Sequence, residues 1–203
     1  MFQTILTAIL LYTATAVDLL VILLIYFAHV KDKRQYFDIY LGQYIGSVAL
    51  ILMSLFFAFV LHYVPEKWLL GLLGLIPIYF GIRVWFVADS GEDRAKERLN
   101  TKGLSKLTET VAIVTLGSCG ADNIGLFVPY FVTLNLRELT VTLIVFLIMI
   151  YLLVFTAQKI SCLPGVGDFI ERYNRWVISV IYIGLGAFII LENGTIHYLL
   201  ALL

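Results

Sequence analysis

The chain has 203 residues, of which 61% are hydrophobic and only 14% charged, and its mean hydropathy is +0.96. A water-soluble domain carries about 25% charged residues, so this composition excludes one. Fourteen basic and fourteen acidic residues cancel, which leaves the placement of the charges, rather than their sum, as the source of information.

Taken in chain order, the first apolar segment, Gln3–Ala28, contains a single charge, Asp18. It lacks a basic start and is too long for a signal-peptide core, so it is read as a membrane span. Further apolar segments follow at Ile39–Val60, Trp68–Ala88, Thr108–Phe131, Leu139–Ala157 and Trp176–Leu191, the last extending toward Leu199. Most come close to or exceed the ~20 residues that cross a hydrocarbon core. The expected fold is therefore an all-α polytopic membrane protein with six transmembrane helices.

Basic residues set its orientation. Lys31, Lys33 and Arg34 follow the first span, Arg94, Lys96, Arg98, Lys102 and Lys106 the third, and Lys159, Arg172 and Arg175 the fifth. The opposite side has only Lys67 and Arg137. Cytoplasmic loops are the basic ones, which puts both termini outside. Trp68, Trp85 and Trp176 fall at span boundaries, as interfacial aromatics do. Cys119 and Cys162 lie in or near spans and make no disulfide framework.

Asp18 and Asp122 are 104 residues apart, and Ile78–Ile82 resembles Ile181–Leu185 at an offset of 103. Two matches at nearly one offset indicate duplication of a three-span unit. Three is odd, so the second copy is inverted, as in many secondary transporters whose sites lie between the repeats near the midplane. The expected organisation is 1–88 as the first three-helix repeat, 89–107 as a solvated cytoplasmic linker and 108–203 as the second repeat, forming one transport domain. Asp18 lies ~22 Å from the outside and Asp122 ~21 Å from the inside at ~1.5 Å per residue, within reach of one central site.

An intramembrane carboxylate costs roughly 2.5–3.5 kcal/mol on insertion scales and commonly marks an ion or substrate path. Thr15-x-x-Asp18 matches Cys119-x-x-Asp122, and residues three or four apart share a helix face. Ser118 and Asn123 add a hydroxyl and an amide. Two carboxylates, a thiol and neutral oxygens suit a divalent cation, and the thiol favours a soft or borderline metal. Gly117, Gly120, Gly125 and Pro129 predict a broken or closely approached fourth span. Gln43, between Gly42 and Gly46, is an accessory ligand candidate in a helix-packing motif. Arg83 is read as snorkelling to the cytoplasm, which leaves no cation beside either aspartate. Two neighbouring carboxylates then hold a proton when no metal is bound, so metal and proton compete at Asp18 and Asp122.

The segments Tyr12–Val21 and Ser118–Gly125, together with Asp38–Tyr44, Val64–Trp68 and Phe127–Phe131, resemble the CadD-type cadmium resistance transporters of bacteria, within the lysine-exporter superfamily. The resemblance covers essentially the whole chain. It implies a multi-pass exporter in the bacterial cytoplasmic membrane, with Cd²⁺ as substrate and Zn²⁺ as a second candidate. No bound cofactor and no nucleic-acid partner is expected; the partners are the lipid bilayer, the metal and protons, and the packing glycines are compatible with a homodimer. Two other readings are weighed against it. An exporter of amino acids or small organic cations would need apolar walls and separate groups for amine and carboxylate, and a carboxylate-bearing substrate would want a basic group near the acids. A membrane thiol oxidoreductase would want a second cysteine where Thr15 stands.

Overall fold

Lipid offers backbone N–H and C=O groups no partner, so a membrane-spanning apolar segment must satisfy them internally, as a helix does. The computed structural model describes residues 2–30, 32–62, 72–83, 106–161, 179–180 and 182–191, and no strand occurs among them. The helices are α1 (Phe2–His29), α2 (Lys33–His62), α3 (Leu75–Arg83), α4 (Leu107–Thr133), α5 (Leu136–Ile160) and α6 (Tyr182–Leu191). Among the described residues α1, α2, α4 and α5 are long and apolar enough to cross a membrane. α3 and α6 are the described parts of the third and sixth predicted spans. Trp68, Trp85, Trp176, Cys162 and most of the predicted linker lie outside the described residues.

Helix ends depart from the hydropathy boundaries for local reasons. α2 starts more than a turn before Ile39 because Tyr36 and Tyr40 pack back on Phe27, with ring centroids at 5.6 and 6.3 Å. α5 starts at Leu136 because Asn135 closes a capping box. Its side chain accepts from the Glu138 N–H (3.0 Å), and the Glu138 carboxylate accepts from the Asn135 N–H (3.1 Å). A cap of this kind is worth about 1 kcal/mol.

The longest seam joins α2 to α4, and the two helices run parallel. A Cβ on Gly42 would sit 2.6 Å from the Thr108 carbonyl oxygen, and one on Gly46 would sit 2.8 Å from the Thr115 Cβ. Further along, Leu50 lies against Gly120. Three other pairs run antiparallel. α3 meets α4 through Phe80 and Ile76 against Gly125 and through Arg83 beside Asp122. α3 meets α6 through Gly81 against Ile183 and Gly186 against Ile78. α2 meets α5 where the Tyr44 hydroxyl donates to the Leu147 carbonyl (3.1 Å) and the Tyr40 hydroxyl to Gln158 Oε1 (2.8 Å). α1 packs along α5. An aromatic cluster of Tyr12, Phe146, Phe127 and Phe131, with centroids 4.9 to 5.9 Å apart, ties α1, α5 and α4 together.

These contacts sort the charges. The Thr108 hydroxyl donates to Asp38 Oδ1 (3.3 Å), so the N-termini of α2 and α4 share one end of the bundle, and the Tyr40–Gln158 bond brings the C-terminus of α5 to the same end. Lys33, Arg34, Lys106 and Lys159 therefore gather there. Large apolar side chains such as Leu52, Met53 and Phe56 on α2 and Ile144, Ile148 and Leu152 on α5 are exposed, which is what a surface facing lipid requires.

The expected break in the fourth span is absent: α4 runs unbroken through Gly117, Gly120, Gly125 and Pro129. A helical glycine costs roughly 0.5–1 kcal/mol relative to alanine. A backbone group left unpaired in lipid costs several kcal/mol, so the continuous helix wins. Gly125 serves close approach to α3, whereas a Cβ on Gly120 would make only an ordinary contact with Leu50 (3.5 Å) and one on Gly117 would meet nothing within 4 Å.

Two substitutions test this packing by thermal unfolding in detergent. Gly42→Ala is expected to destabilise by about 1–3 kcal/mol, because the rigid Thr108 backbone must move. Gly117→Ala is expected to be neutral or to stabilise by up to about 1 kcal/mol through helix propensity.

Candidate metal site

On α4, Ser118 and Asp122 are one turn apart on the face that meets α3, and Gly125, further along that face, lies against Phe80 and Ile76. The close approach at Gly125 brings in the last turn of α3. Arg83 Nη1 stands 3.7 Å from Asp122 Oδ1, with the two side chains 42% and 30% exposed. Arg83 therefore does not snorkel away, and the expectation that no cation lies near the aspartates is corrected. Hydropathy marks Arg83 as the one charge inside the third span but says nothing about its direction; only the α3–α4 contact does. At 3.7 Å the pair is an ion pair without a close hydrogen bond.

Cys119 and Asn123, also one turn apart, occupy the buried side of α4, at 5% and 3% exposure. Asn123 Oδ1 and Ser118 Oγ are both buried without a hydrogen-bond partner among the described residues. An orphaned buried acceptor costs about 1–3 kcal/mol, so such groups call for an occupant, an ion or ordered water. The oxygens around Asp122 thus have unused lone pairs for a cation.

On α1, Thr15 is buried and its hydroxyl donates to the Tyr12 carbonyl (3.0 Å), which leaves the oxygen's lone pairs available. Asp18 follows one turn later and is half-buried. Tyr12 points its hydroxyl at the Ser47 side chain without closing a hydrogen bond to it.

Gln43 is fully buried and occupied at both ends of its amide. Nε2 donates to Ser47 Oγ (2.9 Å), and Oε1 accepts from the Thr115 hydroxyl (2.9 Å). The amide bridges α2 and α4 one turn from Cys119. Thr115 and Ser47 escaped notice in the sequence, although Thr115, Cys119 and Asp122 follow the i, i+4, i+7 spacing of one helix face.

Among the described residues, no three of His, Cys, Asp and Glu converge on a metal-sized group. Asp18, Cys119 and Asp122 accordingly do not form one closed cage here. Cys119 turns to the buried side of α4, while Asp122 turns to α3.

Four long apolar helices define a multi-pass helical membrane protein. A family model described as cadmium resistance transporter matches residues 12–202, nearly the whole chain, and the protein belongs to that family. It is thus a membrane transporter associated with metal resistance, with the bilayer and a metal ion as its partners. Comparisons with curated proteins and with solved structures gave no match.

Gln43→Leu separates bridge from ligand. The variant should lose about 1–3 kcal/mol of stability by orphaning Thr115 and Ser47, read by thermal unfolding, while the folded fraction binds Cd²⁺ as the wild type does.

Proposed function

We propose that the protein exports Cd²⁺, and Zn²⁺ as a second substrate, in exchange for protons through a midplane site containing Asp18 and Asp122. The observation that carries this reading is the position of Asp122 inside a membrane-length helix, beside buried oxygens with no hydrogen-bond partner. Thr15, Cys119, Ser118 and Asn123 are the further ligand candidates.

Six spans in two inverted repeats fit the contacts. A twofold axis sets residues on it against their own counterparts. The Tyr44–Leu147 hydrogen bond spans 103 residues, the repeat offset, and Gly81 meets Ile183 at nearly the same separation. Parallel α2/α4 with antiparallel α3/α6 and α2/α5 is also the pattern that six alternating spans produce. The bundle end holding Lys33, Arg34, Lys106 and Lys159 is then cytoplasmic, with both termini outside.

The same geometry bears on the site. The Tyr130 hydroxyl donates to the Thr4 carbonyl at 3.3 Å. Counting inward from that contact along antiparallel α1 and α4 brings Thr15 level with Cys119. Asp18 and Asp122 then flank that level, roughly 9 Å apart in depth at ~1.5 Å per residue. A cation at the Thr15–Cys119 level would lie between the two carboxylates, and protons returning to them would help expel it.

A second reading draws on Arg83. A basic group beside an acid is what an amino-acid substrate would need, and the Arg83–Asp122 pair supplies it. The family membership favours the metal.

Reconstituted vesicles decide between these readings. Wild-type protein is expected to move Cd²⁺ with opposite proton movement. Asp18→Asn and Asp122→Asn are each expected to slow that flux at least about tenfold. Flux that survives both substitutions would remove the aspartates from the site, and amino-acid flux without metal flux would favour the second reading.

A further inference from the structure

We propose that Arg83 is a tethered counter-cation that neutralises Asp122 while the site is empty and must be displaced for the metal to bind there. This rests on the reading of Asp122 as a metal ligand and adds a residue that controls how tightly the metal is held and how readily it leaves.

Three observations carry it. The guanidinium is held 3.7 Å from the carboxylate, close enough for charge pairing yet without a close hydrogen bond to Asp122. Both side chains are partly exposed, at 42% and 30%, so the guanidinium has room to swing away while α3 stays in place. The helices beneath pack closely: a Cβ on Gly125 would collide with the Phe80 ring and press on Ile76. A flexible charged arm on a closely packed helix suits a competitor that yields and returns.

The physical logic is competition for one anion. A carboxylate inside a membrane needs a positive partner or a proton at every stage of a cycle. With Arg83 as that partner, loss of the metal does not leave Asp122 as a bare charge. A divalent ion offers twice the charge and direct coordination, and so displaces the arginine. While the metal is bound, the nearby guanidinium repels it and weakens its hold, which favours release.

The second repeat does not place an arginine at the matching position. At the repeat offset of 103, the counterpart of Arg83 is Gly186. A Cβ there would strike the Gly74 carbonyl and Ile78, so α6 offers no space for an equivalent arm. The two aspartates are thus given different surroundings by the fold.

The test uses the full chain in lipid nanodiscs, with Cd²⁺ as probe in titration calorimetry and the same variants in vesicles. Arg83→Gln is expected to tighten Cd²⁺ binding about tenfold and to lower KM and kcat of transport together, because release slows. Arg83→Lys keeps the charge and should stay near wild type. In an Asp122→Asn background, where competition for the carboxylate is gone and only the repulsion is left, Arg83→Gln should tighten binding much less. Unchanged Cd²⁺ affinity in Arg83→Gln, with Asp122→Asn still weakening it, overturns the role of Arg83 and leaves the site intact. An Asp122→Asn variant that binds and transports Cd²⁺ normally overturns the site reading itself.

Because Arg83→Gln could impair folding, a wild-type measurement stands beside it. Modification of Arg83 by an arginine-specific dicarbonyl, read by peptide mass, should speed up when Cd²⁺ binds and frees the guanidinium. An unchanged or slower rate in saturating Cd²⁺ overturns the proposal.

Discussion

Hydrocarbon tails are as apolar as leucine, so helices in a bilayer gain no hydrophobic free energy by packing together, and dispersion and interhelical hydrogen bonds must hold them. The α2–α4 seam uses both. Gly42 and Gly46 let the backbones close to contact with Thr108 and Thr115. In the space so formed, Gln43 links Thr115 to Ser47. The seam anchors α4 at Thr115. In the next turns of the same helix Asp122 stands beside Arg83 and Gly125 lies against Phe80 and Ile76 of α3, while Cys119 and Asn123 are buried.

The second contact, α3 against Gly125, turns a chemical inventory into a charge arrangement. Read separately, Asp122 is an expensive anion and Arg83 an expensive cation inside a membrane protein. Brought to 3.7 Å, each lowers the cost of the other. An ion pair without close hydrogen bonds suits a transporter, since a tightly closed pair would hold the site shut against its substrate. The nearby orphaned oxygens of Ser118 and Asn123 point the same way. The fold leaves capacity unused where a cation could take it up.

Much of the architecture was legible in the residues. Hydropathy located α1, α2, α4 and α5 to within a few residues, and it erred where local chemistry overrode it: at α2, whose aromatic first turns pack on Phe27, and at α5, whose start belongs to the Asn135 cap. The glycines of α4 misled. They suggested a broken span because glycine permits unwinding, yet a helix in lipid keeps its hydrogen bonds whenever it can. Here Gly125 instead lets α3 come close. Gln43 likewise looked like a spare ligand, because a sequence does not show that both ends of an amide are already bonded.

By itself the sequence determined the solvent, the positions of the four long apolar helices and the matching Thr15-x-x-Asp18 and Cys119-x-x-Asp122 spacings, which follow from composition and pattern whatever the helices touch. Membership in the cadmium resistance transporter family rests on likeness along residues 12–202. Only the tertiary structure decided which face of α4 each donor occupies, that Arg83 turns to Asp122, and that Asp18, Cys119 and Asp122 do not close into one cage among the described residues. Periodicity groups residues on one helix; it cannot say which neighbour that face will meet. Direction and pairing of charge come from contacts between helices far apart in the chain, set here by where glycine allows two backbones to approach.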